Sequence, residues 1–226
     1  RVVNNFGYTS TRAEQVIYLP NRLTLAMRYP AVTAGISFGK TAVIPAGATT
    51  PWSTLGIVRA GLELAEDIRN GKTPMPDVVV CPHGTGGMVA GLSVGLGLAG
   101  LTSTVFGVSA VERCLSPASR VQWLIRSVVS ILKDQGVSIP KDFRPAPVKF
   151  EFGEVGPGYG VSTGNSLAAV QLLQGENISA EPVYSGKAFS GLSKLNLHNQ
   201  RVLFWVTPRR NSGPVRIPEH IPAALA

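Results

Sequence analysis

The chain has only two cysteines, Cys81 and Cys114, with no C-x-x-C pair and no histidine at zinc-ligand spacing. This excludes a disulfide scaffold and gives no metal site. Reduced thiols fit a cytosol-like compartment, so a cytoplasmic location is expected. Charge is also sparse: 15% of the 226 residues are Asp, Glu, Lys or Arg, against roughly 25% in ordinary soluble domains. Aromatic residues make up only 7%. Long apolar runs are missing too. The longest, Met88 to Leu101, is 14 residues and carries five Gly or Ser, whereas a membrane-spanning helix needs about 20. No Gly-X-Y period excludes collagen, and no repeat or low-complexity tract interrupts the chain.

What is present points to a packed domain. Hydrophobic residues reach 44%, which excludes intrinsic disorder. Gly is abundant at 25 residues and Pro at 17. The net charge of +8 raises nucleic acid as a partner. The basic residues are scattered, however, with tight clustering only at Arg209, Arg210 and Arg216, and this argues against nucleic-acid binding.

Short apolar runs alternate with longer amphipathic ones, the pattern of an α/β sheet protein. Thr41 to Ile44, Asp77 to Cys81, Thr104 to Val108 and Val202 to Val206 read as strands. Asp77 to Cys81 is a β-branched run of the kind buried in a parallel sheet. Helices are predicted from an N-cap at Ser53 to a stop at Gly71, from about Met88 to Leu98, and from the Ser116-Pro117 cap to Gly136. A fourth spans Gly164 to Leu173. The proline-bearing tail from Pro208 should be irregular. Trp52, Trp123 and Trp205 are read as packing residues, and His198 and His220 as solvated. Ligands of such sheets sit beyond the carboxyl ends of the strands, which selects the loops 45–54, 82–88, 109–117, 153–163 and 207–213.

Within that set, His83-Gly84-Thr85-Gly86-Gly87-Met88 joins an apolar strand to a helix start. Glycines let successive N–H groups turn toward one point, and a helix start adds unpaired donors and a favourable dipole. The segment is therefore a candidate seat for a phosphate; the alternative is a tight turn that uses Gly for steric reasons. No Gly-Lys-Ser/Thr follows, so it is not a Walker loop, and the spacing differs from G-x-G-x-x-G.

Three further segments stand in register with that turn: Ile44-Pro45-Ala46-Gly47-Ala48-Thr49-Thr50-Pro51, Gly156-Pro157-Gly158-Tyr159-Gly160 and Glu181-Pro182-Val183-Tyr184-Ser185-Gly186-Lys187-Ala188. Together the four resemble, in order and spacing, the D-cysteine desulfhydrase and 1-aminocyclopropane-1-carboxylate deaminase family, over roughly residues 1 to 207. Val3-Asn4-Asn5 with Gln15-Val16 adds to the likeness. The resemblance implies an α/β three-layer sandwich with a mostly parallel sheet, of the fold-type II pyridoxal-phosphate enzyme kind. Residues 1–42 would be a remnant of the smaller domain, and 43–226 an incomplete larger, cofactor-binding domain.

The resemblance also assigns roles. Gly84, Thr85, Gly86, Gly87 and Met88 would hold the phosphate of pyridoxal 5′-phosphate, with Met88 standing where the family has Thr. Tyr159 and Tyr184 would be catalytic residues near the reactive side of the cofactor, where a phenol of lowered pKa can move a proton. Ser185 would face the pyridine nitrogen and leave it neutral. Thr207 is what survives of the family's H-T-G-G near the last strand, followed here by Pro208 and Arg209. Ser185 favours β-elimination from a D-cysteine-like amino acid to a keto acid, ammonia and sulfide over cyclopropane-carboxylate deamination. The likeness implies a homodimer and a small amino-acid substrate.

In the family, the lysine that binds the aldehyde lies in an upstream S-x-K-x-R-N-like segment. The seven lysines here, Lys40, Lys72, Lys133, Lys141, Lys149, Lys187 and Lys194, are not in that context. The chain opens on Arg1, and the expectation is an N-terminally truncated member, inactive alone. Two other readings stay open: a catalytically dead relative serving as a structural or binding subunit, and a phosphate-ligand binder without imine chemistry.

Overall fold

The computed structural model describes residues 44–206. The expected strand at Thr41 to Ile44 falls largely outside them, as do the remnant domain at 1–42, the Asn4–Val16 likeness, Thr207, His220 and the proline-bearing tail.

The polypeptide forms α1 (Pro51–Arg69), β1 (Val78–His83), α2 (Gly87–Leu98), β2 (Thr104–Ser109), α3 (Ala118–Asp134), β3 (Val148–Glu151), α4 (Gly164–Gly175), α5 (Ser185–Ser190) and β4 (Val202–Phe204). Single 3-10 turns lie at Ala46–Ala48 and Gly191–Lys194. The four strands make one parallel sheet in the order β3-β2-β1-β4. Helices cover both faces, giving the three layers expected of a parallel sheet.

The central strand explains the arrangement. All six residues of β1 are buried. Val79 and Cys81 face α1, α2 and α3 in the larger core, joined by Val58, Val89, Leu92, Val105, Val121 and Leu124. Val78 and Val80 face the other way, against Val108 and Ala188 of α5. Pro82 is tolerated inside β1 because its side of the strand faces β4. There Val78 donates to the Arg201 carbonyl and Trp205 donates to that of Val80. The pairing with β4 ends opposite Val80, so no ladder bond is lost at position 82.

Small residues set the helix spacing. A Cβ on Gly91 would come within 2.5 Å of Ile57 Cβ, and one on Gly95 would collide with the Val58 carbonyl. The backbones of α1 and α2 therefore pack in direct contact. Helix α1 starts three residues earlier than its predicted cap: Thr50 is the N-cap and Ser53 completes a reciprocal capping box from N3. Helix α3 is capped at Pro117 without a side-chain bond, and its Val121, Leu124, Ile125 and Val128 form the expected buried face. Of the tryptophans expected to be core or half-buried packing residues, Trp205 lies against the core, Trp123 is about half covered at 47% exposure, and Trp52 is more exposed than expected, at 59%. No described helix is long and apolar enough to cross a membrane.

Candidate active site

The ends of β1, β2 and β3 open on one side of the sheet, and the connections leaving them build a single cavity of about 480 Å³. Its floor is the turn Gly84–Gly87 with Met88 at the start of α2. Ala46 and Gly47 border it, Val111 and Leu115 follow β2, and Tyr159 and Tyr184 close the opposite side.

The floor is backbone. Gly86 caps α2 in the left-handed region, at φ 94°, which is where glycine alone is at ease. The amide N–H groups of Thr85 through Met88 have no acceptor among the described residues. Helix geometry requires this of the first turn, and it leaves a cluster of donors at the positive end of the α2 dipole. The turn is braced from behind. Arg120 Nε donates to the Thr85 carbonyl at 3.0 Å, and the Thr85 and Thr49 hydroxyls are 2.5 Å apart. His83 is fully buried, its Nε2 3.1 Å from the Ser116 carbonyl and its ring tilted against Phe150. Burial pushes its pKa below the ordinary 6.5, opposed by the bond to Ser116. The ring is thus a neutral strut.

The opposite wall is two phenols. Tyr184 Oη donates to Tyr159 Oη at 2.9 Å, and the rings meet edge to face at 6.0 Å. Burial and the bond to Tyr159 push the Tyr184 pKa upward, the reverse of what a proton-moving phenol needs. Tyr184 is held as a neutral donor, while Tyr159, 48% exposed, is the outward member of the pair.

Ser185, next to Tyr184, is buried but does not line the cavity. Its backbone N–H, with those of Val183 and Tyr184, is taken by the Glu181 carboxylate, and its hydroxyl has no hydrogen-bond partner among the described residues. Of the residues singled out from the sequence, seven therefore share one cavity: Gly84, Thr85, Gly86, Gly87, Met88, Tyr159 and Tyr184. Ser185 stands directly behind it, and Thr207 lies outside the described residues. Ala46, Gly47, Val111 and Leu115 were not singled out as site residues. Ala46 and Gly47 stood in one of the four segments that carry the family resemblance, whereas the only signal for Val111 and Leu115 was membership of a loop at the carboxyl end of a strand.

The sequence profile of the family described as "Pyridoxal-phosphate dependent enzyme" matches residues 14–207. The chain belongs to that family. Among relatives of this pyridoxal-phosphate dependent enzyme family, D-cysteine desulfhydrase of Serratia proteamaculans is 31% identical over 151 residues, covering 66% of this chain and 43% of that one. D-cysteine desulfhydrase of Klebsiella pneumoniae strain 342 is 33% identical over 151 residues, with the same coverage. A crystal structure of an ACC deaminase homologue superposes with a TM-score of 0.63 at 27% identity, covering 84% of this chain and 56% of that one. The chain spans less than half the length of the curated relatives it matches.

The cavity fits the family's cofactor. Its volume lies in the range of small-molecule sites, about 300–1,000 Å³. Its donor cluster suits a dianion. The space between floor and wall depends on glycine: a Cβ on Gly84 would come 3.1 Å from Tyr184 Cε1, and one on Gly87 would come 3.1 Å from Thr49 Cγ2.

Proposed function

We propose that this chain forms the phosphate-binding part of a pyridoxal 5′-phosphate-dependent lyase or deaminase of the D-cysteine desulfhydrase kind, acting on a small D-amino acid. The observation that carries the reading is the set of unclaimed amide donors at Thr85–Met88, which opens on the same cavity as Tyr159 and Tyr184.

In this reading Gly84, Thr85, Gly86, Gly87 and Met88 hold the phosphate through their backbone. The change of the family's Thr to Met88 then removes one hydroxyl contact and leaves the amides intact. Bound there, the cofactor supplies an electron sink for ionisation at the substrate α-carbon. Tyr159, the exposed phenol, meets the substrate, and Tyr184 orients it by donating to its oxygen. Ser185 does not line the cavity, so it is the likeness to the family that offers its neutral hydroxyl, rather than a carboxylate, to the pyridine nitrogen, and on that likeness β-elimination is favoured over cyclopropane-ring deamination. By likeness to the family, Thr207 completes the seat, residues 43–226 form the larger domain, residues 1–42 belong to the smaller one, and the assembly is a cytoplasmic homodimer. The aldehyde-holding lysine is not assigned to any described residue of this chain, so this reading gives the chain the phosphate seat and leaves the imine-forming amine unassigned.

The test is calorimetric titration of the full chain with pyridoxine 5′-phosphate and with pyridoxine, neither of which can form an imine. A preference of tenfold or more for the phosphate, about 1.4 kcal/mol, is expected. Equal affinities would remove the Gly84–Gly87 turn from the site.

A further inference from the structure

Lys187 is the bulkiest side chain that the described core buries completely, at 0% exposure. Taking an ammonium out of water costs several kcal/mol unless its donors are satisfied. Its Nζ donates to the Val155 carbonyl at 2.7 Å and to the Gly158 carbonyl at 3.3 Å. Both acceptors belong to the loop that leaves β3 and carries Tyr159. That loop has little backbone bonding of its own: Val155 to Phe152 and Val161 to Gly158, each at 3.4 Å. Gly156, Gly158 and Gly160 all hold positive φ, at 63°, 149° and 85°, so the intrinsic stiffness of the segment is low.

The same short stretch grips the loop a second time. Lys194 Nζ donates to the Gly153 carbonyl at 2.8 Å and pairs with the buried Glu154 at 2.7 Å, while Ser190 donates to the other Glu154 oxygen. The stretch is itself immobilised, because a Cβ on Gly186 would meet the Ser166 carbonyl at 2.6 Å and one on Gly191 would meet Val108 at 2.7 Å. Tyr184 immediately precedes α5, so one rigid piece bears one phenol and holds the backbone of the other. Burial lowers the pKa of Lys187, and the fields of Glu112, Glu154 and Glu181 oppose that fall.

We infer that Lys187 is a positioning residue: its amine grips the Val155 and Gly158 carbonyls, sets Tyr159 against Tyr184 at the cavity wall, and is not available to an aldehyde. The placement stands on this geometry; that Tyr159 so placed meets substrate rests on the proposed function.

The test needs no cofactor. In the full chain with isotope-labelled tyrosine, five ring signals are expected. Tyr159→Ala identifies the Tyr184 signal and shows where it lies without its neighbour. Lys187→Met should move the Tyr184 signal most of the way to that position while the other three tyrosine signals stay, a selectivity that general loosening would not produce. If Lys187→Met does not fold, Lys187→Gln decides by the same shift. An unmoved Tyr184 signal in a folded variant overturns the inference. So does recovery of Lys187 as the main pyridoxyl-bearing peptide after treating the chain with pyridoxal phosphate and borohydride. Failure of the phosphate preference would sink the functional proposal and leave the tyrosine result standing.

Discussion

Gly86 is the position where fold and candidate function meet most tightly, and Gly86→Ala should damage both. Its φ of 94° is unfavourable for any L side chain, at a cost of about 1–2 kcal/mol. The new methyl would sit 2.9 Å from Val121 Cγ2 and 3.5 Å from Leu124 Cδ1, where carbon pairs prefer roughly 3.5–4.0 Å. Val121 and Leu124 are fully buried on α3, so neither can withdraw without disturbing the core, and overpacking of this kind adds roughly 1–3 kcal/mol. The expected loss is about 2–5 kcal/mol, a large part of a typical total of about 5–15 kcal/mol. Relief requires the turn to shift, which scatters the amide cluster. Urea unfolding measures the first effect and the preference for pyridoxine 5′-phosphate over pyridoxine the second. Gly100→Ala is the control: it shares a positive φ of 72°, but its Cβ would meet nothing within 4 Å. That variant should lose only about 1 kcal/mol and keep the phosphate preference. A Gly86→Ala chain with wild-type stability and undiminished preference would refute the reasoning.

Gly95→Ala, whose methyl would strike the Val58 carbonyl and lie 3.1 Å from Gly61 Cα, should force α1 and α2 apart and lower stability by roughly 1–3 kcal/mol in thermal or urea unfolding. His83 binds a proton less readily folded than unfolded, because burial lowers its pKa from 6.5. Its contribution to stability is therefore complete above about pH 6.5, falls as pH drops from there, and levels off below the lowered folded-state value. His83→Gln should flatten that part of a stability–pH curve. Thiol titration of the native chain should find Cys114 alone, since Cys81 is buried with its pKa pushed up to about 12, and should find both thiols in denaturant.

The elements legible in the sequence are those whose burial is one-sided or total. The β-branched run of β1, the Val121–Val128 face of α3 and the glycine stops at Gly71 and Gly136, both at positive φ, follow from local pattern. Strand β3 was not legible. Val148-Lys149-Phe150-Glu151 is a four-residue edge strand, only half-buried, whose pairing to β2 is supplied by tertiary register. Helix α5 was equally hidden, because Ser-Gly-Lys-Ala-Phe-Ser has weak propensity. It forms where the Glu181 carboxylate collects three N–H groups ahead of it. The position of the cavity floor could be read because a glycine-rich turn after a buried parallel strand lies at the carboxyl end of the sheet, although the glycines alone did not separate a phosphate seat from a plain tight turn. The role of Lys187 could not be read, because its partners lie 29 and 32 residues away and are carbonyls, which leave no trace in side-chain identity.

The two sides of the cavity are built on different principles, and this predicts how each tolerates change. The floor is main chain at a helix start, so side-chain identity matters only where a Cβ would intrude. In the proposed phosphate seat the Met88 side chain leaves the backbone donors in place for that reason, whereas an added methyl at Gly86 does not. The wall is side chain resting on side chain: Tyr159 is placed by a glycine-rich loop that Lys187 and Lys194 hold from below. Here the amine matters more than the backbone. A family member could therefore keep phosphate binding while losing the geometry of its phenols, through a single substitution that never touches the ligand.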